Sequence, residues 1–150
     1  KWSLVTDADG IPLGWALDGA NRHDIPMLAP TLDALERRGL HLDTGCVHLD
    51  KGYDANTVRT LLDERGYDDA VIAKKRKKGE PAPIAAKEGP HTLGLRWPVE
   101  RTNSWFANYG QLRRNTDRHT THRDAQMSLA MVFILTAKLV DYSNRWSPKT

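Results

Sequence analysis

Two short runs of alternating apolar and polar residues, Trp2 to Asp7 and Ile11 to Leu17, are separated by Asp9-Gly10. An Asp-Gly pair readily adopts the positive backbone angles of a tight turn, so the chain commits at its start to an antiparallel hairpin. Whatever follows has to pack on that hairpin. Asp24 is placed to cap a helix with Pro26 in its first turn, where a missing N–H costs nothing. Leu28, Leu32 and Leu35 fall on one face of it and Gly39 ends it. Cys46-Val47-His48-Leu49 reads as a short buried strand that delivers Asp50 at its C-terminal end. Asp54 is placed to cap a second helix, with Val58, Leu61 and Leu62 as its buried stripe and Gly66 as its stop, and Ala70 to Ala73 predicts another short strand.

From Lys74 to Leu95 the periodicity lapses, and a basic run followed by glycine, proline and alanine predicts a loop or insertion. A helix resumes near Trp97-Pro98, with Val99, Trp105 and Phe106 as its packing face. Arg113 to His122 is polar and turn-like. Arg123 to Tyr142 predicts a long helix, apolar from Met127 to Val140 and therefore largely core. This order predicts one α/β domain, a mixed sheet flanked by helices.

Composition narrows the function. At 150 residues, 39% apolar and 27% charged, the chain is neither disordered nor fibrous. Its longest uninterrupted apolar stretch, Leu129 to Leu135, is well short of the ~20 residues that span a bilayer, and Lys1-Trp2-Ser3 opens no signal peptide. The one cysteine, Cys46, allows neither an internal disulfide nor a cysteine zinc cluster, which points to a reducing, cytoplasmic setting. The net charge of +3 hides an uneven distribution. Residues 1–73 carry 7 basic and 13 acidic side chains, a balance of −6, whereas residues 74–150 carry 15 and 6, a balance of +9. A polyanion is the natural partner of such a basic half, although chance clustering of surface charge gives the same numbers.

Two carboxylates stand out by placement. Asp50 follows a strand, the end at which open α/β sheets gather ligands, and Glu100 opens a helix among arginines and tryptophans. Carboxylates brought together from separate elements suit Mg²⁺, a hard ion that prefers oxygen ligands. Taken alone the signal is weak, because an acid at a strand end is equally a turn former or an N-cap. His48 alternates with Asp50 along its strand, and His119 with His122 lack an evident third metal ligand.

Several blocks of the sequence together are recognisable. Lys1 to Leu13, Ala20-Asn21-Arg22-His23-Asp24, Leu49-Asp50-Lys51-Gly52-Tyr53-Asp54, Arg96-Trp97-Pro98-Val99-Glu100-Arg101 with Trp105, and Leu112-Arg113-Arg114 occur in that order. With them the chain resembles the DDE transposases of bacterial insertion sequences, in their RNase H-like catalytic domain. The resemblance implies that Asp50 and Glu100 are the second and third catalytic, metal-binding acids. It implies that the first acid lies on a strand ahead of Lys1, so that this chain is a C-terminal portion lacking the first strand of the family fold. Asp7 is the nearest substitute, but the resemblance puts it on the wrong strand. The family's Tyr-x2-Arg-x3-Glu-x6-Lys pattern is met at Arg96 and Glu100, while Leu93 and Ala107 stand at its Tyr and Lys positions.

The implied chemistry is DNA strand cleavage and strand transfer with Mg²⁺ (or Mn²⁺), two ions held by the complete acid set. Arg96 and Arg101 flank Glu100 and are placed to pair with it or to grip phosphate. Lys74, Lys75, Arg76, Lys77 and Lys78, together with Arg113 and Arg114, would follow the DNA backbone, and Trp97 and Trp105 would either stack on an unpaired base or pack at the rim of the core. The implied partners are insertion-sequence ends and target DNA in the bacterial nucleoid, with a homo-oligomer on DNA as a further expectation. Two other readings stand beside it, a catalytically inactive DNA-binding remnant and a related RNase H-like nuclease.

Overall fold

The computed structural model describes residues 1–40, 46–73, 97–114 and 116–146. The hairpin forms from strands β1 (Trp2–Thr6) and β2 (Pro12–Leu17), paired antiparallel from Trp2 opposite Leu17 to Thr6 opposite Pro12. Its turn is closed from both sides. The Asp7 carboxylate accepts from the backbone N–H groups of Asp9 (2.9 Å) and Ile11 (2.7 Å), and Gly10 adopts φ +78°.

Helix α1 (Ile25–Glu36) lies on one face of the hairpin, where Gly14 admits it: a Cβ there would meet Leu35 N at 3.1 Å and Thr31 O at 3.3 Å. On its other side Leu28 and Leu32 pack with Val58 and Leu62 of α2 (Asn56–Glu64). Beneath that cluster run β3 (His48–Leu49) and β4 (Val71–Ile72), paired parallel. The opposite hairpin face carries Trp15, which joins Phe106 of α3 (Trp97–Ala107), Leu112 of α4 (Gly110–Arg113) and Met127, Ala130 and Ile134 of α5 (Thr120–Trp146) in a second cluster. Fully burying a side chain such as Phe106 or Met127, each 0% exposed, contributes roughly 1.5–3 kcal/mol.

The α/β class holds, with differences from expectation. Among the described residues the strands form two separate two-stranded sheets, one antiparallel and one parallel, in place of one mixed sheet. Asp24 occupies the N-cap of α1 but makes no cap bond, because its carboxylate pairs with Lys1 Nζ at 2.7 Å. Asp54 likewise turns to Arg59 at 2.6 Å and leaves Ala55 as the N-cap of α2. The polar stretch from Arg113 to His122 is turn-like as expected at 114 and over 116–119, while α4 ends on Arg113 and α5 begins at Thr120, three residues ahead of the expected Arg123.

The long helix is the largest correction. Met127, Ala130 and Ile134 are buried, but Leu129, Val132, Phe133, Leu139 and Val140 are exposed. By length and composition, Thr120–Ser143 is long and apolar enough to cross a membrane, which its short uninterrupted apolar run did not suggest. Its first turns are nevertheless committed to polar docking, with Trp15 Nε1 donating to Asp124 at 2.7 Å and Gln126 Nε2 to Asp117 at 2.6 Å.

Candidate active site

Asp50 leaves β3 in an extended conformation (φ −74°, ψ 166°) and begins a 3-10 turn over Lys51–Tyr53, its exposed carboxylate accepting the Gly52 N–H. Gly52 is required to be small here, since a Cβ would stand 2.9 Å from Asp50 Oδ1. The turn lies close to β1, where the half-buried Tyr53 hydroxyl is near enough to the Ser3 side chain to be influenced by it. Burial pushes the Tyr53 hydroxyl pKa upward, and the nearby Asp24 and Asp50 carboxylates push the same way against the influence of the Ser3 side chain.

Glu100 lies in the first turn of α3, exposed, at the end of a helix dipole that favours negative charge. What fixes that turn is the hairpin. The buried Thr102 hydroxyl lies within bonding reach of the Gly10 and Pro98 carbonyls, the latter at 3.0 Å, and Arg101 Nη1 donates to the Asp9 carbonyl at 3.0 Å. Further along, Trp2 Nε1 donates to Asn103 at 2.8 Å, and Phe106 meets the Trp2 ring edge-on at 6.4 Å. Thr102 was missed from sequence; its signal was a small polar residue four positions before Phe106 on the face that packs.

Both acids are thus surface carboxylates held by element ends that dock on β1. They lie toward its two ends, the Asp50 turn near Ser3 at the start and Glu100 beside Gly10 beyond the finish. Among the described residues no three His, Cys, Asp or Glu side chains cluster closely enough to hold an ion. The donor chemistry nonetheless fits magnesium, which keeps several waters and takes one or two carboxylates plus substrate phosphates.

The candidate DNA-contacting residues divide. Arg113 and Arg114 are exposed at the end of α4, while Lys74 to Lys78 and Arg96 lie outside the described residues. Trp105 is half-buried, with the Arg101 guanidinium 5.5 Å and the Lys138 ammonium 4.5 Å from its ring centre, the rim-packing role rather than an open stacking platform. Val99 does not pack; it is 37% exposed. The rings of His119 and His122 lie 5.3 Å apart at the surface.

A family model described as a transposase DDE domain matches residues 1–137, a span that takes in Asp50, Glu100, Arg113 and Arg114. The chain belongs to this family. It is 35% identical over 142 residues to a Burkholderia cepacia protein described as "Putative transposase for insertion sequence element IS402". That match covers 89% of this chain and 61% of the relative's length. No solved structure matches the chain. Within this family match, Asp50 at the end of β3 and Glu100 at the start of α3 stand exposed on separate elements.

Proposed function

We propose that this chain is part of a DNA transposase catalytic domain of RNase H-like architecture, in which Asp50 and Glu100 supply two of the acidic oxygen ligands. The observation that carries the reading is the family match spanning both acids. The sheets are in keeping with it: among the described residues β1 and β3 each pair along one edge only, which leaves each an edge for a further strand. A bound Mg²⁺ or Mn²⁺ pair supplies the activation of a water or 3′-hydroxyl and stabilisation of the leaving oxygen. Asp50 is held for ligation by the Gly52 N–H, which fixes one carboxylate oxygen. Arg101, tied to the Asp9 carbonyl, keeps a guanidinium one residue from Glu100, and Arg96, which lies outside the described residues, would add a second. Lys74 to Lys78, Arg113 and Arg114 would bind the phosphate backbone of insertion-sequence ends and target DNA in the bacterial cytoplasm.

Calorimetric titration of the chain with Mn²⁺ tests the site. Binding is expected, weakened by roughly 10-fold or more in Asp50→Ala and in Glu100→Ala. Binding that neither substitution alters, or no binding at all, removes the metal site and leaves the reading of an inactive DNA-binding remnant, which the lack of a three-acid cluster among the described residues favours.

A further inference from the structure

Lys138 is the one charged residue between Asp124 and Asp141, in a stretch of α5 that is otherwise apolar or uncharged. Asp141 stands three residues on, within reach of a lysine on the same helix. The half-buried Lys138 instead crosses to α3 and lays its ammonium over the ring of Trp105, 4.5 Å from the ring centre. The Arg101 guanidinium lies against the same indole, 5.5 Å from its centre, while its Nη1 donates to the Asp9 carbonyl. Two cations from separate helices thus converge on one half-buried ring, and one of them follows Glu100 directly in the chain. The sequence marked neither Lys138 nor this meeting of α3 with α5, because the apolar run around Lys138 reads as core.

We propose that Arg101 and Lys138 together clamp the phosphate backbone of DNA beside Glu100, with Trp105 as the positioning residue that holds them. The proposal rests on the DNA reading above and adds to it a contact from α5. An acid could hold these cations only by cancelling their charge, whereas the negative face of an indole orients a cation and leaves its charge for a ligand. Among the described residues Lys138 is paired with no carboxylate, so the ring holds the ammonium without neutralising it. Two like charges drawn to one ring repel each other, and an anion between them turns that repulsion into attraction. A guanidinium fork grips phosphate oxygens in pairs, and an ammonium adds a point charge that tolerates many angles. A duplex suits the pair better than an acidic peptide. Its charges recur every ~1.7 Å of helix axis and can also meet Arg113 and Arg114, exposed at the end of the adjoining α4.

Trace acetylation of the lysines, read by mass spectrometry, tests the clamp directly. A short duplex is expected to slow the reaction at Lys138 several-fold. Trp105→Leu is expected to lose that protection and Trp105→Phe, which keeps an aromatic face, to retain it. Volume alone does not supply such a rescue, since both replacements are smaller than tryptophan. Lys138→Met keeps the apolar stem and loses the charge. It is expected to flatten the slope of log K against log salt by about 1 in fluorescence anisotropy, at unchanged helical circular dichroism. Three results would overturn the proposal and leave the DNA reading standing: duplex binding with Lys138 unprotected, a Lys138→Met slope equal to wild type, or protection kept in Trp105→Leu. Protection by polyglutamate but not by duplex would overturn it in favour of an acidic protein segment. Wild type that binds no duplex would remove the DNA reading itself, and the clamp with it.

Discussion

Tyr53 sits at the end of the Asp50 turn, half-buried against the α1–α2 cluster with its hydroxyl close to Ser3 of β1. Burial and two carboxylates hold its pKa above the ordinary value of ~10. A group whose pKa is raised by folding stabilises the protein fully below its unfolded value and loses that contribution as pH climbs through the folded one. Wild-type stability is therefore expected to fall above about pH 10, relative to Tyr53→Phe, which cannot ionise. At neutral pH, where neither protein ionises at this position, the two are expected to differ by no more than about 1 kcal/mol. Urea midpoints measured for both proteins across the alkaline range check this. Curves that run parallel above pH 10 would show that the hydroxyl is not held as described. Asp50 itself depends on a residue with no side chain, because at Gly52 a methyl would displace the carboxylate that its N–H now fixes.

Between elements, the decisive contact is the hairpin turn against the first turn of α3. A methyl at Gly10 would stand 3.0 Å from the Pro98 carbonyl and 3.3 Å from Thr102 Oγ1, on a backbone at φ +78°. Gly10→Ala is expected to cost about 1–2 kcal/mol for the backbone conformation, with crowding in addition. Thr102→Val is expected to cost about 1–3 kcal/mol by leaving buried carbonyls unsatisfied. Because both act on one contact, the double variant should lose less than the sum, and a urea double-mutant cycle measures the difference; strict additivity would mean the turn and helix are not coupled. This contact explains what the sequence could and could not disclose. The hairpin and the stops at Gly39 and Gly66 (φ +70° and +76°) follow from local backbone chemistry and were legible. The capping roles of Asp24 and Asp54 were not, since each carboxylate found a cation that outcompeted its own helix N-terminus. Beyond its small polar character on the packing face, Thr102 gave no sign of its role, because its partner Gly10 is 92 residues away. The exposed half of α5 was illegible for the opposite reason: the helix is apolar on both sides, so periodicity offers no polar face to mark the outside.

At the scale of the whole molecule, charge is segregated along the chain while the two candidate acids stand on either side of that division. Asp50 belongs to the acidic half and Glu100 to the basic one, and the fold joins the halves by docking α1 and α3 on the same hairpin. The acid positions were assigned through motif resemblance alone. Their surroundings were not legible, because Ser3 and Gly10 carry no motif of their own. If the basic half follows DNA, its contribution is electrostatic and nearly blind to sequence, and its signature is a salt dependence. Each neutralised phosphate adds about −0.9 to the slope of log K against log salt for duplex DNA. Arg113 and Arg114 are exposed at the end of α4, which Leu112 buries into the core, so alanine at both removes charge without removing packing. The double variant is expected to bind any duplex more weakly at low salt and to flatten the slope by about 2. Fluorescence anisotropy of two unrelated duplexes over a salt series measures both quantities. A slope unchanged from wild type would take these arginines off the DNA path, whereas a loss confined to one duplex would mean that they read sequence.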